Sequence, residues 1–258
     1  MPANFSFNKL SSQLSIFAVM NLVIDIGNSL IKAAVFENQN LIWSEVFETI
    51  SERVIENHFK KYVITSAIVS SVASGNDSIE KYLKTLTSCI HLNVNTPIPI
   101  KNNYSTPDTL GNDRLANVIG ANALFPNKNV LVIDAGTCLK FDFINREGEY
   151  MGGAISPGLH MRYKALHQFT ERLPLLEPVK NAAFVGNTTA NSIHSGVVNG
   201  MLVEINGILN HYAINIQPLQ VILCGGDLGY FSNHLKNNIF AAPHLTLQGL
   251  NEILLYNQ

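Results

Sequence analysis

LVIDIGNSLIK at Leu22–Lys32 recurs, nearly half the chain later, as LVIDAGTCLK at Leu131–Lys140. In each copy a β-branched run ends in an Asp, then one small or apolar residue, a Gly and a short polar pair. An apolar run ending in Asp-x-Gly reads as a buried strand entering a tight turn. The Gly lets a backbone N–H come close to a ligand, and the carboxylates of Asp25 and Asp134 stand at the strand ends. A single Asp-x-Gly says little, because both residues are common in turns. Two copies with matched flanks, each followed by a second apolar stretch, predict two facing turns. Such a pair forms a cradle for a polyphosphate and its cation.

The chain has 258 residues, enough for one large domain or two ordinary ones, and the duplication favours two. We expect an N-terminal unit at 20–126 and a C-terminal unit at 127–258. Residues 1–19 are rich in Ser and Asn, carry only Lys9 as a charge, and contain one short apolar run. They are expected to be a poorly ordered extension or a mis-called start ahead of Met20, and do not fit a signal peptide. Hydrophobic residues make up 47% of the sequence, ample for a core in each half. A net charge of −2 and 14% charged residues leave no basic face for nucleic acid, so a small-molecule ligand is expected. No stretch has the length of a membrane span, and no membrane partner is expected. Cys89, Cys138 and Cys224 show no paired spacing and fit a reducing cytoplasm, Cys138 as a packing residue.

Each half reads as antiparallel strands followed by alternating helices and strands, an α/β plan used twice. In the first half, strands are expected at Leu22–Ile26, Ile31–Phe36, from Leu41, and at Tyr62–Val72. Helices follow at Glu52–Lys60 and Ser78–Ser88, a short edge strand at Leu92–Val94, and a helix at Asp108–Phe125 closed by Pro126. In the second half, strands at Val130–Asp134, Leu139–Ile144 and Tyr150–Ile155 lead to a helix opened by SPGL. A long amphipathic helix at Ala190–Ala213 follows, then a strand at Leu219–Cys224 and a helix at Leu245–Tyr256.

The Walker phosphate loop, GxGxxG, GxSxG and HExxH are all absent. His160 and His167 lack Cys or acidic companions and read as a solvated helix face. What remains is a polar set at turns: Asp25 and Asn28, Gly111–Arg114, Asp134 and Thr137, Gly186 with Thr188 and Thr189, and Gly225 with Gly226. Phosphoryl transfer needs such a set, with amides and hydroxyls for the phosphates, a carboxylate for a divalent cation, and another near the acceptor hydroxyl. Asp113, beside Arg114 near a helix start, is the candidate base. From spacing alone it is equally a helix cap, and both readings stay open.

DIGNS at 25–29, GNDRLAN at 111–117, DAGT at 134–137, GGAISPGL at 152–159, GNTTANSIHSG at 186–196 and LCGGD at 223–227 are the motifs that decide the matter. In this order and spacing they resemble the type III pantothenate kinases, within the acetate and sugar kinase/heat-shock ATPase/actin superfamily. The resemblance runs from about Met20 through the terminal helix. It implies duplicated ribonuclease-H-like halves, each a mixed sheet flanked by helices, and ATP-dependent phosphorylation of pantothenate, the first step toward coenzyme A. It further implies that Asp25, Ile26, Gly27, Asn28, Ser29, Leu30, Ile31 and Lys32 form the first phosphate loop. Asp25 would organise Mg²⁺ directly or through water. Gly111, Asn112, Asp113 and Arg114 would bind pantothenate, with Asp113 taking the hydroxyl proton. Asp134 would hold a monovalent cation, K⁺ or NH₄⁺, Thr137 would contact ATP, and Tyr104 and Thr189 would reach pantothenate. A homodimer is implied.

The chain departs from that pattern in places. Ser29 replaces the usual Thr and keeps the hydroxyl. Thr188 replaces a common Asn, and Cys224 a common Thr. Lys140 stands where Thr is frequent; it either assists ATP or points to solvent, and solvent is expected. Lys32 is expected to be an exposed strand lysine. Competing readings are a related sugar kinase and a non-catalytic accessory or regulatory relative; a chaperone-like or filament-forming ATPase fits the short chain less well.

Overall fold

β1 (Met20–Ile26) and β2 (Ile31–Glu37) are the first repeat, folded back on itself. In the computed structural model, the described residues are 20–27, 30–71, 77–232, 234–235 and 239–258. The expectations for residues 1–19, Asn28 and Ser29 therefore lie outside them, as does Val72. The first half continues through β3 (Asn40–Phe47), α1 (Glu52–Lys61), β4 (Ile64–Ser71), α2 (Asp77–Leu86) and β5 (Ser88–His91). A two-residue strand, β6 (Lys101–Asn102), and a single 3₁₀ turn at Pro107–Thr109 lead to α3 (Asn112–Leu124). The second repeat supplies β7 (Asn129–Ala135) and β8 (Cys138–Ile144), followed by β9 (Glu149–Pro157) and α4 (Leu159–Gln168). After α5 (Thr189–His194), the chain runs through a π turn at Ser195–Asn199 into α6 (Gly200–Asn215). β10 (Leu219–Cys224), α7 (Leu228–Phe231), β11 (Ile239–Ala241) and α8 (Leu245–Tyr256) complete it.

The repeat is expressed as two sheets of one design. The first has the order β3-β2-β1-β4-β5, the second β11-β10-β7-β8-β9-β6. In both, the repeat strand is central, antiparallel to its hairpin partner and parallel to the next strand on its other side. Central strands covered on both faces explain the near-continuous apolar runs of β1 and β7. β6 crosses from the first half to extend the second sheet alongside β9.

Strand alternation decides what each sheet shows to the other half. Leu22, Ile24 and Ile26 pack with Ile55 of α1 and Ile79 and Leu83 of α2 on the outer side. Leu131, Ile133 and Ala135 pack with Tyr163 of α4 and with Met201 and Ile205 of α6. Val23, Val130 and Val132 instead join a shared core with Leu115, Val118 and Ile119 of α3 and Leu250 and Ile253 of α8. Asp25 follows Val23 by two residues and Asp134 follows Val132 by two. Both carboxylates therefore lie on the faces that look onto the α3–α8 layer.

That layer is drawn tight by glycine. A methyl at Gly249 would stand 1.7 Å from the Ala116 carbonyl oxygen, and one at Gly120 would stand 2.8 Å from that of Leu245. α8 is tied to the first sheet by Asn251, which accepts from Asn21 Nδ2 at 3.0 Å and donates to the Asn38 carbonyl at 2.7 Å. The C-terminal helix thus completes the core of the N-terminal sheet.

Three expected elements differ. The edge strand is Ser88–His91, not Leu92–Val94, because α2 stops at Leu86 and the chain pairs at once with β4, Ser66 opposite Ser88. Leu92 is buried in the shared core instead. α3 begins at Asn112 and not at Asp108, since Pro107 opens a separate 3₁₀ turn. The long helix starts at Thr189, where the Thr188 hydroxyl caps it by accepting the Asn191 N–H at 3.1 Å.

Candidate active site

Asp134 and Lys140 are direct partners across the β7–β8 hairpin, on the inner face of the second sheet. Lys140 Nζ lies 2.7 Å from Asp134 Oδ2 and also pairs with Asp113 Oδ2 at the start of α3. Its side chain is 13% exposed, so the expectation of a solvent-facing lysine is corrected. Pairing with Asp134 fixes its face, and two carboxylates hold its end. One turn along α3, Asn117 Nδ2 donates to the same Asp134 oxygen at 3.1 Å, and Asn117 Oδ1 accepts from Thr246 of α8 at 2.8 Å.

Asp113 is both a helix-start carboxylate and a cleft group. Its Oδ1 accepts the Arg114 N–H at 2.9 Å, while Oδ2 takes Lys140. A side chain at Gly111 would meet Asp113 Oδ1 at 2.6 Å and displace that carboxylate. Burial raises the Asp113 carboxyl, but the Lys140 charge, its hydrogen bond and the Arg114 N–H outweigh it. Asp113 is therefore held below the usual carboxylate range.

The facing wall is Asp25. It pairs in register with Lys32 on one side and Ser70 on the other, as Asp134 does with Lys140 and Cys224. Burial pushes the Asp25 carboxyl up, Lys32 pulls it down, Asp113 pushes it up again, and Ser70 and Lys140 pull it down; it ends raised. Asp25, Asp113 and Lys140 thus share one electrostatic neighbourhood. Lys32 is half-buried on this same face, so the expected exposed strand lysine is corrected too.

Arg114 turns the other way. Its Nε and NH2 reach Asp142 Oδ1 at 3.0 and 2.6 Å, and NH1 donates to Tyr104 at 3.3 Å. Tyr150 donates to the same Asp142 oxygen at 2.6 Å and stacks on Tyr104 with ring centroids 5.9 Å apart. The Arg114–Asp142 pair is 5% and 1% exposed, and the guanidinium holds Tyr104 in place. Asp142 and Tyr150 had no signal in the sequence, since Asp142 sits within FDF and pairs across 28 residues. Asn112 is tethered to the Leu92 carbonyl at 3.2 Å.

Thr137 lies beside a cavity of about 520 Å³ bounded by Gly136, His160, Lys164, Gly226 and Asp227. The second glycine pair braces this turn, Gly225 with φ +96° and the Asp227 N–H bonded to the Ala135 carbonyl at 2.8 Å. A methyl on Gly225 would strike that carbonyl oxygen at 2.2 Å. Lys164 and Asp227 were not anticipated; Lys164 depends on α4 folding over the second turn, and Asp227 follows the glycine pair after β10. Thr189 lines a different cavity, with Gly186, Thr188 and Ser192, and is not brought to Asp113 within one chain. Among the described residues no group of three metal-binding side chains forms, and no helix is long and apolar enough to cross a membrane.

The family model described as type III pantothenate kinase matches residues 21–211. The chain belongs to that family. Among curated type III pantothenate kinases, that of Christiangramia forsetii is 45% identical over 242 residues, spanning 93% of this chain and 99% of the relative. That of Phocaeicola vulgatus is 44% identical over 241 residues, spanning 92% and 99%. Among solved structures, a candidate Baf family transcriptional activator from Campylobacter jejuni has a TM-score of 0.60 at 19% identity, covering 92% of this chain and 98% of that one. A candidate N-acetylmannosamine kinase from Listeria monocytogenes has a TM-score of 0.51 at 12% identity, covering 93% and 100%. At such identities these likenesses concern the fold, the duplicated actin-like ATPase plan expected of a type III pantothenate kinase.

Proposed function

We propose that the protein transfers the γ-phosphoryl group of ATP to the primary hydroxyl of pantothenate, giving 4′-phosphopantothenate. One observation carries the reading: Lys140 bridges Asp113 at the start of the helix and Asp134 of the second sheet, and Asp25 of the first sheet lies within electrostatic reach of Asp113 and Lys140. In this reading Asp113 takes the hydroxyl proton. It is ionised at neutral pH, and a loose phosphoryl-transfer transition state asks only for a weak base at the acceptor. Lys140 holds Asp113 in orientation, and Asp142 holds Arg114, which in turn fixes Tyr104 as a wall for the acceptor. The Thr137 turn and the cavity beside it suit the nucleotide, with backbone amides near the phosphates and Lys164 at the rim.

Asp25 fits a divalent cation: it is a buried carboxylate with a raised pKa and no direct ion pair among the described residues. Mg²⁺ bound there would offset the charge of the β- and γ-phosphates. The proposed setting is the cytoplasm. Thr189 reaches pantothenate in a homodimer, since its cavity is separate within one chain, and Phe169, Phe184 and Val185 nearby are about four-fifths exposed (80, 77 and 81%).

Asp113→Asn tests the base. Turnover falls by about 10²–10⁴-fold while ATP still binds; near-normal turnover would contradict the assignment.

A further inference from the structure

The resemblance places a loose monovalent cation on Asp134, and the residues around that carboxylate do not fit one. Asp134 Oδ2 already receives the Lys140 ammonium at 2.7 Å and the Asn117 amide at 3.1 Å. The other oxygen is packed against the glycine turn, where a methyl on Gly225 would stand 2.5 Å from it. The strand neighbour on the far side is Cys224, buried at 2% exposure, a thiol and not a hydroxyl. Potassium is held by several oxygens, and here the partners of the carboxylate are two N–H donors. A second positive charge against the same carboxylate would also meet the Lys140 charge in a largely water-free pocket, where repulsion is strong.

We infer that the Lys140 ammonium, bridging Asp134 and Asp113, is a built-in monovalent cation, so that this kinase works without added K⁺ or NH₄⁺. The lysine is tethered to the strand that carries it, which fixes its position relative to the Asp113 carboxylate. The register supports this assignment, because Asp134 and Lys140 face each other across one hairpin and need no loop movement to meet. Lys32 repeats the arrangement opposite Asp25, but Asp25 stays without a direct ion pair among the described residues, so the two halves differ in which carboxylate is neutralised.

This inference rests on the pantothenate kinase reading, and the experiment separates the two. Phosphorylation of pantothenate is measured at constant ionic strength with tetramethylammonium as the monovalent cation, then with K⁺ or NH₄⁺ replacing it. Melting temperature is followed in the same series. The wild type is expected to hold its rate within about twofold throughout, with no cation-specific melting shift. Lys140→Ala is expected to lose about tenfold or more in tetramethylammonium and to recover in part with NH₄⁺ or K⁺, its melting temperature rising with the same ions. A wild type that gains about tenfold with K⁺ overturns the inference and leaves the kinase reading standing. So does a Lys140→Ala protein as active as wild type in tetramethylammonium. If no preparation phosphorylates pantothenate, the functional reading fails, and the wild-type melting series still decides whether Asp134 takes a free cation. The wild-type arms need no variant to fold.

Discussion

Asp25 and Asp113 are two buried or half-buried carboxylates whose surroundings set them apart. Asp113 is paired and lowered; Asp25 is buried, has no ion pair among the described residues, and is raised. An acid whose pKa is higher in the folded chain weakens the fold once ionised. That cost is full above its folded pKa and vanishes below the unfolded value near ~4. Asp25→Asn should therefore raise the melting temperature at pH 7 and weaken Mg-ATP binding, the stability gain shrinking as pH falls toward 4 (about the unfolded value). Calorimetry across pH measures it; a melting temperature lowered at pH 7 would contradict the account. Asp113 has the reverse sign: its pairing stabilises above the unfolded pKa and is lost as pH falls through the folded one. In the metal-free protein Asp25 therefore protonates before Asp113 as pH falls. The Arg114–Asp142 pair is wholly enclosed, so Asp142→Asn leaves a buried guanidinium without its counter-charge. A loss of about 3–5 kcal/mol in denaturant unfolding is expected, and a loss under about 1 kcal/mol would contradict it.

At the scale of elements, the repeat was legible because period-two patterning and Asp-x-Gly are local signals. β1, β7, β10 and α8 lie where the pattern puts them, α8 to the residue. The face taken by Lys140 was not legible. It depends on hairpin register, and the two turns differ in length: Ile26 pairs with Ile31, but Ala135 with Leu139. The second copy is one residue shorter, yet in both hairpins the Lys pairs with the Asp. The Arg114–Asp142–Tyr150 group was hidden for a related reason, since it joins α3, β8 and β9 with no shared motif. The close helix crossing was equally silent, yet it makes a sharp prediction. Gly249→Ala places a methyl inside contact distance of the Ala116 carbonyl, and should destabilise by about 1–3 kcal/mol or more through overpacking. Gly207, with nothing within 4 Å of its added methyl, is the control, and Gly207→Ala should be neutral or mildly stabilising. Equal effects at both positions in urea unfolding would contradict the packing argument.

For the whole molecule, the duplication matters because two like sheets face one helical layer from opposite sides. α3 carries Asp113 into the gap, and α8 fastens that layer to the first sheet. The six motifs of the sequence mark places where strand ends and helix starts meet this gap, which is why the family was readable from the chain alone. Thr189 is the exception within one copy, and a homodimer follows as a prediction: sedimentation should give about twice the 28.4 kDa of the chain, and a monomer at micromolar concentration would contradict it. The central claim is that the three carboxylates serve transfer to one acceptor hydroxyl. Phosphorus NMR on the purified protein with Mg-ATP and pantothenate tests it most directly. The account predicts a phosphomonoester of pantothenate appearing in step with ADP, and no such product from a sugar panel. ATP consumed to inorganic phosphate alone, or a sugar phosphate in place of 4′-phosphopantothenate, would contradict it.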